Sequence, residues 1–356
     1  MSAGSRCPPP VRSRLIFLAL VAPLLTRCAA PPSPRADGAS PPPRQSPATA
    51  VVVLSREPWS FGAVEGQAIQ TPHYRIFTTE RDPALVSRLP AFLEGALGHY
   101  RSAIVKLPEP RQLMDVYLLD NRPQWRRLAR WRLGRAADVY LRMQRGGFAA
   151  GGVAYYFDIG PADTFALAAH EGWHQYTQSV FRTPLPAPLE EALATWMEGK
   201  RARPDGGFDF LPWANLERFD ALRRAAGKNA LLPLEQLLSL SSAQAIASDA
   251  VDPLVYYAQL WALVHFLLEG DEGALRPALG AMLLDAAAGT LHASGPPTAG
   301  TGAAAASSPR SRAAALLIRY TGRPLPALNA SYQRFIGRLV TPGARSAIAQ
   351  GRSPLR

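Results

Sequence analysis

Cysteine is nearly absent from this chain. The two cysteines, Cys7 and Cys28, both fall within the first 28 of 356 residues. The body that follows therefore has neither a disulfide framework nor a thiolate metal site. Lysine is almost as scarce, occurring only at Lys106, Lys200 and Lys228, so arginine carries nearly all of the formal net charge of +12. The arginines are read as scattered along the chain, with no basic run interleaved with aromatics, and no nucleic-acid partner is expected. The longest early apolar run, residues 15–25, is well short of the roughly 20 residues that span a bilayer. Internal repeats are missing too. Histidine is also rare, at six in the whole chain, so two histidines at metal-binding spacing carry weight. What remains is an ordinary globular composition, 47% hydrophobic and 19% charged, in a chain long enough for a substantial core.

The N-terminus reads as an export signal. Arg6, Arg12 and Arg14 precede the short apolar run, and Leu25-Thr26-Arg27-Cys28 closes it. That ending resembles a bacterial lipoprotein signal with Cys28 as the lipidated residue, although Arg27 stands where the pattern has a small residue. Membrane attachment through Cys28 and a periplasmic or cell-envelope location follow as expectations. Residues 29–50, rich in Pro, Ser and Ala, read as a flexible tether. Residues 51–345 read as one domain, with a low-complexity insertion at about 293–310. No feature specifies an oligomeric state.

Within the domain, residues 51–55, 73–79, 114–119 and 151–158 read as strands, and residues 82–105 and 123–133 as helices. From residue 163 onward nearly everything reads as helix. A small mixed sheet followed by a mainly helical C-terminal part is an α+β arrangement.

The chemistry centres on His170-Glu171-Gly172-Trp173-His174. On a helix, positions i and i+4 share a face, so both imidazoles can reach one zinc ion, and Glu171 can serve as base toward a water held there. Asp163 reads as the N-cap of that helix. Pro184, Pro186 and Pro188 then turn the chain, and a second helix carries Glu190 and Glu191. A carboxylate from it completes a two-histidine, one-glutamate zinc site with an open position. The residues alone leave Glu190 and Glu191 as alternatives. Glu198, two turns beyond Glu191, reads either as a hydrogen-bond partner of a ligand histidine or as a surface acid.

The pattern H-E-G-W-H-Q followed by P-L-E-E-A-L-A-T-W resembles the gluzincin metallopeptidases, and in particular their uncharacterised, bacterial lipoprotein-like branches. The match is strong over residues 151–200, with a weaker echo at residues 256–263. The resemblance implies a zincin-like fold, Zn2+ as cofactor, a peptide or protein substrate, and Glu191 rather than Glu190 as third ligand, with Ala192 where the family often has Gly. It also implies an edge strand before the active-site helix that pairs with substrate, assigned here to Gly151, Gly152 and Val153. A downstream tyrosine that stabilises the oxyanion is assigned to Tyr257, which reads otherwise as a core residue. The alternative function is a catalytically inactive zincin-fold envelope protein that binds peptide or cell-wall material.

Overall fold

A computed structural model describes residues 53–142, 146–248, 250–291 and 309–355. The signal-like segment with Cys28, the tether and the insertion proper lie outside the described residues.

Strands β1 (Ser55–Phe61), β2 (Val64–Gln70) and β3 (Tyr74–Thr78) form an antiparallel meander. Helix α1 (Pro83–Ser102) follows. Asp82 caps its first turn by accepting from the Ala84 amide, and Pro83 occupies a position whose N–H has no helical partner. The chain then returns as β4 (Met114–Leu119), parallel to β3, and crosses through α2 (Arg122–Leu133) to β5 (Gly147–Ala150) and β6 (Val153–Phe157). Strand β6 lies parallel to β4 and antiparallel to β5, which gives a six-stranded mixed sheet in the order β1-β2-β3-β4-β6-β5.

Period-two alternation decides which side of the sheet each residue serves. Val116 and Leu118 of β4 and Ala154 and Tyr156 of β6 face the main core under α1 and α3 (Pro161–Val180). Tyr117, Leu119, Tyr155 and Phe157 face a second, aromatic cluster that packs against Trp125 and Leu128 of α2. The sheet is thus covered by helices on both faces in its centre. From residue 187 the described residues are mainly helical, with one small hairpin among them. Helix α4 (Ala187–Met197) is followed by β7 (Lys200–Ala202) and β8 (Phe208–Phe210), then α5 (Leu216–Gly227), α6 (Leu234–Ser239), α7 (Ser242–Ala247), α8 (Pro253–Glu269), α9 (Arg276–Ala288), α10 (Pro309–Thr321), α11 (Leu325–Leu339) and α12 (Ala344–Ala349). Helix α8 is buried along nearly its whole length and runs through the middle of the helical part. Among the described residues no helix is long and apolar enough to cross a membrane. The expected α+β order is present: a mixed sheet first, then helices, with the histidine motif on α3.

Several expectations need correction. Residues 53–54 precede the first strand, which begins at Ser55. The β1–β2 hairpin was not anticipated. Asp163 does not cap α3: Pro161 starts the helix two residues earlier and Gly160 occupies the cap, so Asp163 sits in the first turn. The strand expected over residues 151–158 is internal, hydrogen-bonded on both sides. The arginines are not evenly scattered either, since five of them fall on α2 in the run RPQWRRLARWRL, interleaved with two tryptophans.

Candidate metal centre

Helix α3 is set in place from both ends of the motif. Gly172 is required where α3 crosses α1, because a Cβ there would stand 2.6 Å from the Tyr100 hydroxyl. That hydroxyl donates to the Ala169 carbonyl at 2.7 Å. Gln175, directly after the motif, donates to the Asp115 carbonyl of β4 at 2.7 Å and to the Gly152 carbonyl at 2.9 Å. Gln178 donates to the Ala149 carbonyl and accepts from the Gly152 amide. One helix face thus fixes the sheet and the β5–β6 turn relative to the histidines.

His170 and His174 extend from α3 toward Glu191 on α4, which packs alongside. The His170 Nε2 is 3.3 Å from Glu191 Oε2, and the His174 Nε2 is 3.8 Å from Glu191 Oε1. One ligand atom from each of the three residues lies within 4.8 Å of the others. Tetrahedral zinc, with bonds of about 2.0–2.1 Å, holds its ligand atoms about 3.4 Å apart. All three side chains are at most 2% exposed. His170 Nε2 and Glu191 Oε2 are buried without a hydrogen-bond partner, since the two atoms are close but not aligned for a bond. Buried polar atoms are normally satisfied, and orphans converging from two helices fit a cation.

The far side of each imidazole is held by a different carboxylate. His170 Nδ1 faces Glu198 Oε1 at 3.0 Å, and His174 Nδ1 faces Glu190 Oε1 at 3.3 Å. An Nδ1–H donated to a carboxylate leaves Nε2 as the metal-binding lone pair. Glu191 is therefore the carboxylate on the ligand side, and Glu190 stands behind His174, where Thr177 also donates to it. Glu198 is itself clamped: Arg218 donates to both of its oxygens at 3.0 and 3.1 Å, and Asn215 donates to Oε2 at 2.9 Å. Burial alone would raise the Glu198 pKa, but the Arg218 charge and the His170 contact outweigh it and pull the carboxyl down to about 2. For His170, burial lowers the pKa, while Glu191 and Glu198 together lift it to about 10.

Glu171 is different from the other three glutamates. It is fully buried, and neither carboxylate oxygen has a hydrogen-bond partner of normal geometry. The Ala149 amide of β5 comes close enough to lower its pKa, as do His170 and His174, yet burial dominates and raises it to about 7. A carboxyl poised near neutrality beside a metal site has the properties of a general base.

The free edge beside Glu171 belongs to β5, outermost in the sheet order, rather than to the strand that begins at Val153. Gly151 and Gly152 form the turn between them, with φ of +60° and +79°, which only glycine adopts without strain. Tyr257, on α8, is brought to the site: its ring lies edge-on to His170 at 6.4 Å and under the Arg218 guanidinium at 5.3 Å. The Ser242 hydroxyl of α7 donates to Glu191 Oε1 at 2.7 Å. Tyr140, before β5, stacks on Phe148 at 4.2 Å, and its phenol is pushed up by burial first and the Glu171 charge second. Arg218, Asn215, Ser242 and Tyr140 carried no sequence signal, because only the packing of distant segments brings them here.

No family model matches the chain, and no curated protein matches it. The His170-Glu171-x-x-His174 cluster with Glu191 as third ligand matches the gluzincin arrangement of the zinc peptidases. Its geometry is that of a catalytic zinc-hydrolase site.

Proposed function

We propose that the chain is a zinc-dependent peptidase of the cell envelope that cleaves peptide or protein substrates. The observation that carries the reading is the convergence of His170 Nε2, His174 Nε2 and Glu191 beside an unpartnered, buried Glu171 carboxyl. His170, His174 and Glu191 would hold the ion. Zinc, when bound, supplies a Lewis acid that polarises a carbonyl and acidifies water. Glu171 accepts the proton of the attacking water and delivers it to the leaving amine. Glu198 and Glu190 hold the imidazoles in orientation through their Nδ1 atoms. The β5 edge, next to Glu171, offers main-chain groups to an extended peptide, with Gly151 and Gly152 turning the chain at its end. Tyr257 is the candidate donor to the developing oxyanion.

Export and lipid attachment at Cys28 are supported by the arginine-led apolar run and the Leu-x-x-Cys ending. The alternative, an inactive binder of peptide or cell-wall material with the same fold, is disfavoured because base and ligands are all in place. Full-length protein reconstituted with zinc and digested against a quenched peptide library tests the reading. Cleavage that disappears in Glu171→Gln while bound zinc stays stoichiometric supports it. Stoichiometric zinc with no cleavage of any library member replaces it with the binder.

A further inference from the structure

Residues 121–137 contain six arginines and no acid. Most of that run is helix α2, and the helix sorts its residues by face. Trp125, Leu128 and Ala129 are buried against the sheet. Positions 126, 127, 130 and 131 fall within an arc of about 140° on the opposite side, from a rotation of about 100° per residue. Arg127 and Arg130 are exposed there, Arg126 is half-exposed, and Trp131 is 58% exposed, more than any other large hydrophobic residue among those described. Arg122, Arg126, Arg127 and Arg130, with Pro123, also line one surface depression. Arg126, Arg127 and Arg130 take part in no ion pair among the described residues. Arg127 instead donates to the Phe61 carbonyl and covers the Phe61 ring at 4.5 Å. Like charges held this close without neutralising acids are an electrostatic cost unless an anionic partner is present.

We propose that the outward face of α2, formed by Arg126, Arg127, Arg130 and Trp131, docks the domain on an anionic phospholipid bilayer. Guanidinium groups bind phosphate oxygens in a fork, and an indole set among them belongs at the headgroup boundary, where one side is apolar and the other wet. The helix lies along the sheet, so its outer face is broad and can meet a flat surface. A bilayer fits this better than a nucleic acid does: the face has one exposed aromatic at its end rather than a series of stacking platforms. The inference is independent of the peptidase reading and of lipidation at Cys28.

The test uses full-length protein and sedimentation with vesicles of phosphatidylglycerol mixed into phosphatidylcholine, compared with pure phosphatidylcholine. Each arginine near an anionic surface is worth about fivefold in binding, so Arg126→Gln/Arg130→Gln should weaken binding to the anionic vesicles about thirtyfold. Among the described residues neither side chain makes a hydrogen bond or ion pair, and circular dichroism checks the variant. Arg334→Gln/Arg338→Gln on α11 removes the same charge from exposed positions elsewhere and should leave binding within about twofold. Any contribution of the N-terminal segment is common to all three proteins. Brominated lipid should quench the parent more than Trp131→Phe. Equal weakening by the two arginine pairs, no weakening by the α2 pair, equal binding to pure phosphatidylcholine, or tighter binding to RNA or duplex DNA at matched phosphate concentration would each overturn the proposal.

Discussion

Replacing Arg218 by methionine should damage this protein more than any surface change, and the damage should be largely reversible by a second substitution. Arg218 is 2% exposed and Glu198 is 7% exposed, so neither charge has water as an alternative partner. The guanidinium binds both oxygens of the carboxylate. Removing it leaves a buried anion facing only Asn215 and His170, which typically costs about 3–5 kcal/mol. The direction agrees with the Glu198 carboxyl, which burial would raise but Arg218 and then His170 pull down to about 2. Glu198→Gln in the same chain removes the stranded charge, so Arg218→Met/Glu198→Gln should recover about 2–3 kcal/mol relative to the sum of the single changes. Urea unfolding of the four proteins in the presence of chelator measures the cycle. Zinc affinity forms a separate arm. Glu198→Gln should weaken zinc binding about 10–100-fold through loss of its hold on His170, and the double variant should bind zinc no worse. Additivity within about 0.5 kcal/mol, or an Arg218→Met cost below about 1 kcal/mol, would refute the reasoning.

The remaining predictions concern the site and its surroundings. Glu171→Gln should keep zinc by elemental analysis and lose roughly 10²–10⁴-fold in turnover, because an amide accepts no proton; parent-like activity ends the assigned role. Glu191→Gln should instead lower zinc occupancy itself at limiting metal, and unchanged occupancy would move the third ligand elsewhere. His99, half-buried between the rings of Trp196 and Phe210, has its pKa lowered to about 4 by loss of hydration. The unfolded chain then binds more protons than the folded one between about pH 6.5 and 4, so stability present above pH 6.5 is lost as the pH falls through that window. His99→Phe should remove up to about 3 kcal/mol of that pH dependence, measured as unfolding free energy at pH 7 and pH 4.5. An identical slope in the variant would show that other groups carry it.

The motif helix was legible because its signal is local. Histidines at i and i+4 need only a helix to meet, and the Asp82-Pro83 start of α1 likewise declares itself in two residues. The pair Glu190-Glu191 announced a carboxylate helix, but which member faces the metal depends on how α4 is rotated against α3, and that is settled by packing. Strand β1 was missed because its residues are mostly exposed or half-exposed, so burial imposes no alternation to read. Strand β5 was missed for the opposite reason: Gly147–Ala150 is buried throughout, again without a period of two. The edge strand that the resemblance implies is assigned to Gly151, Gly152 and Val153, whose small residues suit a close backbone approach, but these residues form the turn and start of the inner strand, and the edge is β5. Arg218 and Asn215 lie in what reads as an ordinary helix start, and Asn215 does cap α5 by accepting from the Arg218 amide. Their second task, clamping Glu198, arises only from tertiary packing.

The charge balance of the centre gives a reason for its composition beyond ligand geometry. Glu171, Glu190, Glu191 and Glu198 are all buried around two histidines, and among the described residues Arg218 is the one arginine buried with them. With neutral imidazoles and all carboxyls ionised, three negative charges remain uncompensated, which the interior cannot tolerate. Two responses are open to the side chains themselves. The Glu171 carboxyl is raised to about 7 and can stay protonated, and the His170 imidazole is raised to about 10 and can hold a proton in place of a cation. A divalent ion held by His170, His174 and Glu191 would supply the same compensation and would take the place of the imidazole proton. The ion and the protons therefore compete for one deficit. A cluster so rich in buried acid can thus be balanced by protons or by an ion, and Glu171, the one of the four carboxylates with no hydrogen-bond partner of normal geometry, is free to exchange its proton.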